Sequence, residues 1–191
     1  MQELKEQILD FWFGSPGSAD YGRSREEWFR KDPSFDAEIR DRFGPAVDTA
    51  LAGGFTDWTA PREALARVLL LDQFTRNIFR DSPRAFVGDT LALATAQAAI
   101  ARGDDLKLSP AERRFLYLPF THAEDLPAQE RSVALCARLR DETGDGDPLF
   151  WAEKHAAVIR RFGRYPHRNA ILGRTSTPEE IAFLAEAGSR F

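Results

Sequence analysis

This sequence has little cysteine, lysine and histidine, and it has no long apolar run. Cys136 is the single cysteine among 191 residues, which excludes an intramolecular disulfide and any metal cluster built on cysteine. No stretch approaches the ~18 apolar residues of a transmembrane helix. The N-terminus mixes acidic and basic residues and lacks a small-residue cleavage site, so no signal peptide is expected. These absences predict one soluble, cytoplasmic domain over residues 1–191, without a membrane partner.

The composition that is present suits a globular protein of moderate size. Hydrophobic residues make up 43% of the chain, enough for a real core. The net charge of −4 disfavours binding to a polyanion, so no nucleic-acid partner is predicted. P-loop, GxGxxG, HExxH, CxxC and ordered Ser/His/Asp patterns are all absent. We therefore assign no catalytic residue, cofactor or metal site, and the sequence leaves open whether the protein is an enzyme.

Helical signals dominate the chain. Apolar residues recur at a spacing of three and four, and alternating runs are essentially absent. Proline follows a capping residue at four helix starts, namely Asp32-Pro33, Ser109-Pro110, Asp147-Pro148 and Thr177-Pro178. Helices are predicted at 2–13, 24–30, 33–52, 61–80, 88–102, 110–121, 127–142, 148–162 and 178–187, with a break or kink at Gly44-Pro45 and another at Pro119. The predicted fold is all-α, an array of antiparallel helix hairpins around one central helix, similar to tetratricopeptide repeats.

The central helix predicted over 61–80 is apolar in its first half. In its second half, apolar side chains lie on one side and polar side chains on the other. At about 100° per residue, its polar side chains cover an arc of roughly 140°. We call this the polar arc; its members are Asp72, Gln73, Arg76, Asn77 and Arg80. Asp72 and Arg76 are four residues apart and are expected to pair. The arc is interpreted either as an ion-pair network that ties neighbouring helices together or as one wall of a ligand cleft.

Two later segments carry further candidates. The segment 119–127 places His122 and Glu124 in a turn, with Asp125 as the cap of the next helix. His122 is interpreted as a hydrogen-bonded turn residue or as a general acid, base or ligand contact, and two such ligands are weak evidence for a metal.

The loop at 162–178 is longer than the usual connection between helices. No acidic residue occurs from Lys154 to Pro178, which is unusual in a net acidic chain. The loop's candidate ligand contacts are Arg164, His167, Arg168 and Asn169. It is read either as an ordered structural loop or as part of an anion site.

Five motifs in this order resemble a known bacterial family. They are ILDFWFG (8–14), EEWFRKDPSFDAEIRDRFG (26–44), LLLDQFTRNIFR (69–80), FLYLPFTHAEDL (115–126) and HRNAILGRTSTPEEIAFL (167–184). They are similar to the family catalogued as domain of unknown function 924. The resemblance implies an all-helical fold similar to tetratricopeptide-repeat proteins, and it implies no activity and no catalytic residue.

Two functions follow as hypotheses. The first is a cleft for a small anion, a phosphate or carboxylate, formed where the polar arc, the His122 turn and the 164–169 loop converge. The second is a scaffold without catalysis that binds a peptide or protein in a groove.

Overall fold

The computed structural model describes residues 3–189 and contains helices and no strands within that range. The α-helices are α1 (Leu4–Phe13), α2 (Pro33–Leu51), α3 (Pro61–Val68), α4 (Thr75–Ile78), α5 (Asp89–Ala101), α6 (Pro110–His122), α7 (Leu126–Thr143), α8 (Asp147–Phe162) and α9 (Pro178–Leu184). Short 3₁₀ turns cover Glu26–Trp28, Pro83–Phe86, Asp104–Lys107 and Pro166–Arg168. The all-α prediction is confirmed, whereas the tetratricopeptide-like stacking of hairpins stays a prediction. None of the helices in the described range is long and apolar enough to cross a membrane.

Most of the predicted helix caps are present. Asp32 accepts hydrogen bonds from the backbone of Ser34 and Phe35 at the start of α2, and Asp125 accepts one from Ala128 at the start of α7. The prediction for Asp147 is wrong, because α8 begins one residue earlier than expected. Asp147 lies inside the helix, and the side chain of Asp145 accepts the hydrogen bond from its N–H at 3.0 Å. The expected breaks at Gly44-Pro45 and Pro119 are also wrong, since α2 continues through Pro45 and α6 through Pro119, whereas a kink at either site stays a prediction.

The contacts within the chain group into two compact units. The first unit contains the chain up to Arg80 together with Arg84–Pro119, and the second contains Asp81–Pro83 and the chain from Phe120 onward. The prediction of one domain over 1–191 is untested by this grouping and stays a prediction.

Aromatic rings fill the core of the first unit. Trp12 is fully buried, and its ring lies 6.1 Å from that of Trp28 and 5.5 Å from those of Phe74 and Phe115. Such contacts favour a tightly packed core, because large rings bury much apolar surface. α3, which is the start of the central helix, packs against α1 and α5. The start of the central helix therefore lies in the interior of the first unit.

The central helix changes its hydrogen-bonding register in the middle. Leu69–Phe74 forms a π-helical segment between α3 and α4. The backbone of Gly88 approaches this segment so closely that a Cβ atom there would lie 2.1 Å from the Leu71 carbonyl oxygen. The hydroxyl of Thr75 donates to that same oxygen at 2.9 Å. Glycine is therefore required at position 88 for the central helix to pack here.

In the second unit, α7 packs along α8. The side chains of Val158, Ile159 and Tyr165 form a buried cluster, against which Phe162 and Phe183 pack. Thr177 and Glu180 form the predicted capping box at the start of α9, with Thr177 N–H to Glu180 Oε2 at 2.8 Å. This box fixes where the long loop ends and α9 begins.

Candidate functional site

The first half of the polar arc is an ion-pair network. Arg76 donates to both carboxylate oxygens of Asp89, at 2.8 and 3.1 Å, and its Nη1 lies 3.1 Å from Asp72 Oδ1. The predicted pairing of Asp72 with Arg76 is confirmed. Asp72 is completely buried and also accepts a 2.6 Å hydrogen bond from Gln73. Each of these polar groups therefore has a partner within the protein.

The second half of the polar arc converges on one carboxylate from α2. Asp36 is buried, and it accepts hydrogen bonds from the Asn77 amide at 2.8 Å and from Arg80 Nη2 at 2.9 Å. Arg80 Nε also donates to Asp36, so the guanidinium binds this carboxylate through two nitrogens. A bidentate arginine–carboxylate pair is among the stronger polar contacts in proteins. Asn77 and Arg80, interpreted from the sequence as part of an ion-pair network or of a ligand cleft, thus bind a carboxylate of the chain itself.

The long loop of the second unit is anchored by Glu124. The Glu124 carboxylate accepts two hydrogen bonds from Arg174, at 2.5 and 2.9 Å, and a third from the backbone N–H of Tyr165 at 2.8 Å. Burial opposes the ionisation of Glu124, but the hydrogen bonds from Arg174 and Tyr165 outweigh it and lower the pKa of this carboxyl. Arg174 also donates to the carbonyl of Tyr165.

A second carboxylate, Glu180, secures the other end of this loop. Arg164 donates to both of its oxygens, at 2.7 and 2.8 Å, and the Asn169 amide donates to Oε2 at 3.1 Å. Hydrogen bonding from Arg164 is the main reason why the pKa of Glu180 falls to about 2. Asn169 also accepts from Arg174, which joins the two carboxylates into one network. This network favours the reading of 162–178 as an ordered structural loop.

The three histidines of the chain come together in the second unit. The ring of His155 lies 6.4 Å from that of His122 and 5.6 Å from that of Tyr165, and Tyr165 lies 5.4 Å from His167. Arg168 covers the Tyr165 ring and donates to the carbonyl of His122 at 3.0 Å. The structure therefore brings together His122, His167 and Arg168 of the predicted site residues.

Burial keeps the imidazoles of His155 and His167 largely uncharged. Desolvation lowers the pKa of His155 to about 3, and desolvation together with the nearby charge of Arg168 lowers that of His167 to about 4. His155 Nδ1 lies 2.7 Å from the carbonyl oxygen of Trp151. Over residues 3–189, no group of three or more His, Cys, Asp or Glu side chains is placed to hold a metal ion.

A surface pocket of about 480 Å³ lies in the second unit. Residues at the end of α8, in the following loop and at the start of α9 line it. They are Arg161, Phe162, Arg164, Thr177, Glu179 and Glu180. Of the residues predicted to form a site, Arg164 is the one that lines this pocket.

Arg161 differs from the other arginines described above. Its guanidinium lies 4.7 Å from the centroid of the Phe162 ring and 5.7 Å from that of Phe183. Over residues 3–189 it makes no ion pair with a carboxylate. Stacking on the rings restrains the guanidinium plane while leaving its N–H edges available to a ligand.

The predicted site residues do not include Arg161, although it lies in the acid-free stretch from Lys154 to Pro178. Arg160 and Arg161 are identical in type and adjacent in sequence. What distinguishes Arg161 is its contact with the rings of Phe162 and Phe183. Phe183 lies on α9 and is brought close to Arg161 only by the fold. Thr177 and Glu180 were recognised as a helix cap, and Glu179 was not singled out.

Comparisons with known proteins agree on the family and are silent on activity. The family model described as "Bacterial protein of unknown function (DUF924)" matches residues 8–188. A solved structure from Agrobacterium tumefaciens, titled "Structure of Protein of Unknown Function ATU0120", is 41% identical, with a TM-score of 0.83 over 96% of this chain and 98% of the other. No curated protein matches the chain. The family-model match over residues 8–188 and the 41% identical structure show that this chain belongs to the bacterial DUF924 family.

Proposed function

We propose that this protein binds a small ligand through a carboxylate or phosphate group in the pocket lined by Arg161. The observation that carries the proposal is the state of that guanidinium, which is stacked on two rings and has no carboxylate partner over residues 3–189. The arginines of the polar arc, in contrast, are bound to Asp89 and Asp36. An incoming anion would have to displace those carboxylates, whereas at Arg161 it would displace water.

The size of the pocket supports the proposal. A volume of about 480 Å³ is in the range of small-molecule sites, which span roughly 300–1,000 Å³. Phe162 is half-buried in its wall and offers an apolar surface beside the guanidinium. A ligand with an anionic group and a small apolar body therefore matches both kinds of lining. Binding of this type requires no catalytic residue, and we assign none.

The binding experiment compares two neighbouring arginines. Isothermal titration calorimetry would use 3-phenylpropanoate and phenyl phosphate as probes on the wild type, Arg161→Met and Arg160→Met. Arg160 is exposed on the same turn of α8 and does not line the pocket. We expect Arg161→Met to weaken binding by about tenfold or more, since one charge-assisted contact contributes ~1.5–3 kcal/mol. Arg160→Met should bind as the wild type does.

Two results would overturn the proposal. One is that neither probe binds to the wild type at millimolar concentration. The other is an equal loss of affinity in Arg160→Met and Arg161→Met, which would indicate a general charge effect rather than a site. Thermal unfolding of both variants shows whether each remains folded.

A peptide- or protein-binding surface is the second candidate, and exposed aromatics on α8 favour it. Phe150 is 53% exposed and Trp151 is 38% exposed, and Lys154 lies 5.3 and 5.0 Å from their ring centroids. Exposed aromatic side chains are enriched where proteins bind partners. A bound peptide should lose affinity in Trp151→Ala, whereas a ligand confined to the pocket should be unaffected.

A further inference from the structure

The charges around the pocket cancel. Arg161 and Arg164 supply two positive charges, and Glu179 and Glu180 supply two negative charges. Arg164 and Glu180 neutralise each other through the two hydrogen bonds described above. The pocket is therefore left with one positive group, Arg161, and one negative group, Glu179.

Glu179 is exposed and is held in its ionised form. Hydrogen bonds from its own backbone N–H and from the Thr177 hydroxyl lower the pKa of this carboxyl. Neither arginine of the pocket neutralises it, and it makes no ion pair with another cation over residues 3–189. A ligand in the pocket would thus meet a permanent negative charge as well as the guanidinium of Arg161.

Phe162 gives the pocket an apolar wall beside Arg161. The ring of Phe162 lies 5.1 Å from that of Phe183, and Arg161 covers both rings. A purely anionic ligand would gain from Arg161 but would be repelled by Glu179. Recognition is favoured when the ligand's charges complement both groups, and a mismatch is penalised.

We infer that the ligand is a small zwitterion with an apolar side group, such as a free amino acid or a dipeptide. This inference rests on the function proposed above. The ligand's carboxylate would pair with Arg161, its ammonium with Glu179, and its side group would contact Phe162. The zwitterion leaves neither of the two pocket charges without a partner.

Three probes of one shape test the charge requirement. Phenylalanine carries both charges, 3-phenylpropanoate lacks the ammonium, and phenethylamine lacks the carboxylate. Calorimetry on the wild-type protein should give the tightest binding for phenylalanine, by about tenfold over either single-charge probe. The dipeptide alanyl-phenylalanine separates the two sources, because its ammonium and carboxylate are farther apart. Tighter binding of the dipeptide would assign the site to a dipeptide, and weaker binding would assign it to a free amino acid.

The matched variants are Glu179→Gln and Glu153→Gln. Glu153 is an exposed carboxylate of α8 that does not line the pocket. Glu179→Gln should remove the advantage of phenylalanine over 3-phenylpropanoate, and Glu153→Gln should preserve it. If phenylalanine and 3-phenylpropanoate bind equally and both depend on Arg161, the zwitterion is wrong but the proposed function stands. If no probe binds in a manner that depends on Arg161, the proposed function itself is wrong.

Discussion

The polar arc in the first unit and the pocket in the second unit use arginine in opposite ways. Arg76 and Arg80 bind carboxylates of their own chain, from Asp89 and Asp36. Arg161 lies on aromatic rings and leaves its N–H edges to the solvent. The difference shows that the concentration of polar residues on a helix does not identify a ligand site. We propose that an arginine to which the fold supplies no counter-charge is the better candidate for binding a ligand.

Burial explains why the arc needs those counter-charges. Asp72, Gln73 and Asn77 are almost completely inaccessible to water. A polar group in such a place must find its hydrogen bonds inside the protein or destabilise the fold by ~1–3 kcal/mol. The internal partners therefore favour the interpretation of the arc as an ion-pair network in the first unit, where the central helix meets α2 and α5.

The largest expected effect tests how closely the central helix is packed. Gly88→Ala should destabilise the protein by about 4 kcal/mol or prevent folding, because the new Cβ would collide with the Leu71 carbonyl. Gly146→Ala is a matched control, since both glycines precede a helix with φ of −84° and Gly146 has open space around it. Urea unfolding should show Gly146→Ala within about 1 kcal/mol of the wild type. Equal effects of the two changes would contradict the close approach at Gly88.

The next effect tests the ion pairs of the polar arc. Asp36→Ala should lower the free energy of unfolding by about 3 kcal/mol, because it leaves Arg80 and the Asn77 amide without their carboxylate. The control is Asp48→Ala, which removes an exposed pair with Arg84 and should cost less than about 1 kcal/mol. Chemical denaturation measures both. A small effect of Asp36→Ala would show that the arc is not a structural network.

The buried His155 gives the second unit a dependence of stability on pH. An unfolded histidine titrates at 6.5, whereas burial lowers the pKa of His155 to about 3 in the folded protein. As the pH falls below 6.5, the unfolded chain binds a proton that the folded chain does not, so stability decreases until the folded pKa is reached. Between about pH 7 and pH 5 the contribution of His155 is ~2 kcal/mol. His155→Gln should therefore lose less stability than the wild type over this interval. If the free energy of unfolding of the two proteins falls in parallel with pH, the assigned role of His155 is wrong.

The smallest expected effect is at the pocket itself. Arg161→Met should change the free energy of unfolding by less than about 1 kcal/mol, since it removes only exposed cation–π contacts. Denaturant unfolding of Arg161→Met and of Asp36→Ala under the same conditions compares the two free energies of unfolding directly. A loss at Arg161 as large as that at Asp36 would indicate a structural residue rather than one available to a ligand.

Local features of the fold were predictable from the sequence. Capping boxes such as Thr177 with Glu180 depend on residues three apart, and the pairing of Asp72 with Arg76 depends on one helical turn. The family resemblance and the all-α class were predictable because motifs and apolar spacing extend along the whole chain.

Distant partners were not predictable in this way. Asp36 is 44 residues from Arg80, and Glu124 is 50 residues from Arg174. Without those partners, an arginine held in an ion pair looks the same in sequence as one open to a ligand. The same limit applies to Arg161, which differs from Arg160 through Phe183, an aromatic residue on another helix.

The most direct measurement follows the side-chain Nε–H resonances of the arginines by NMR during a titration with phenylalanine. Arg161 should shift in a saturable manner, whereas Arg76 and Arg80 should not, because Asp89 and Asp36 already occupy their N–H groups. Variants Arg161→Met, Arg76→Lys and Arg80→Lys assign the three signals. Saturable shifts at Arg76 or Arg80 with Arg161 unchanged would contradict the account.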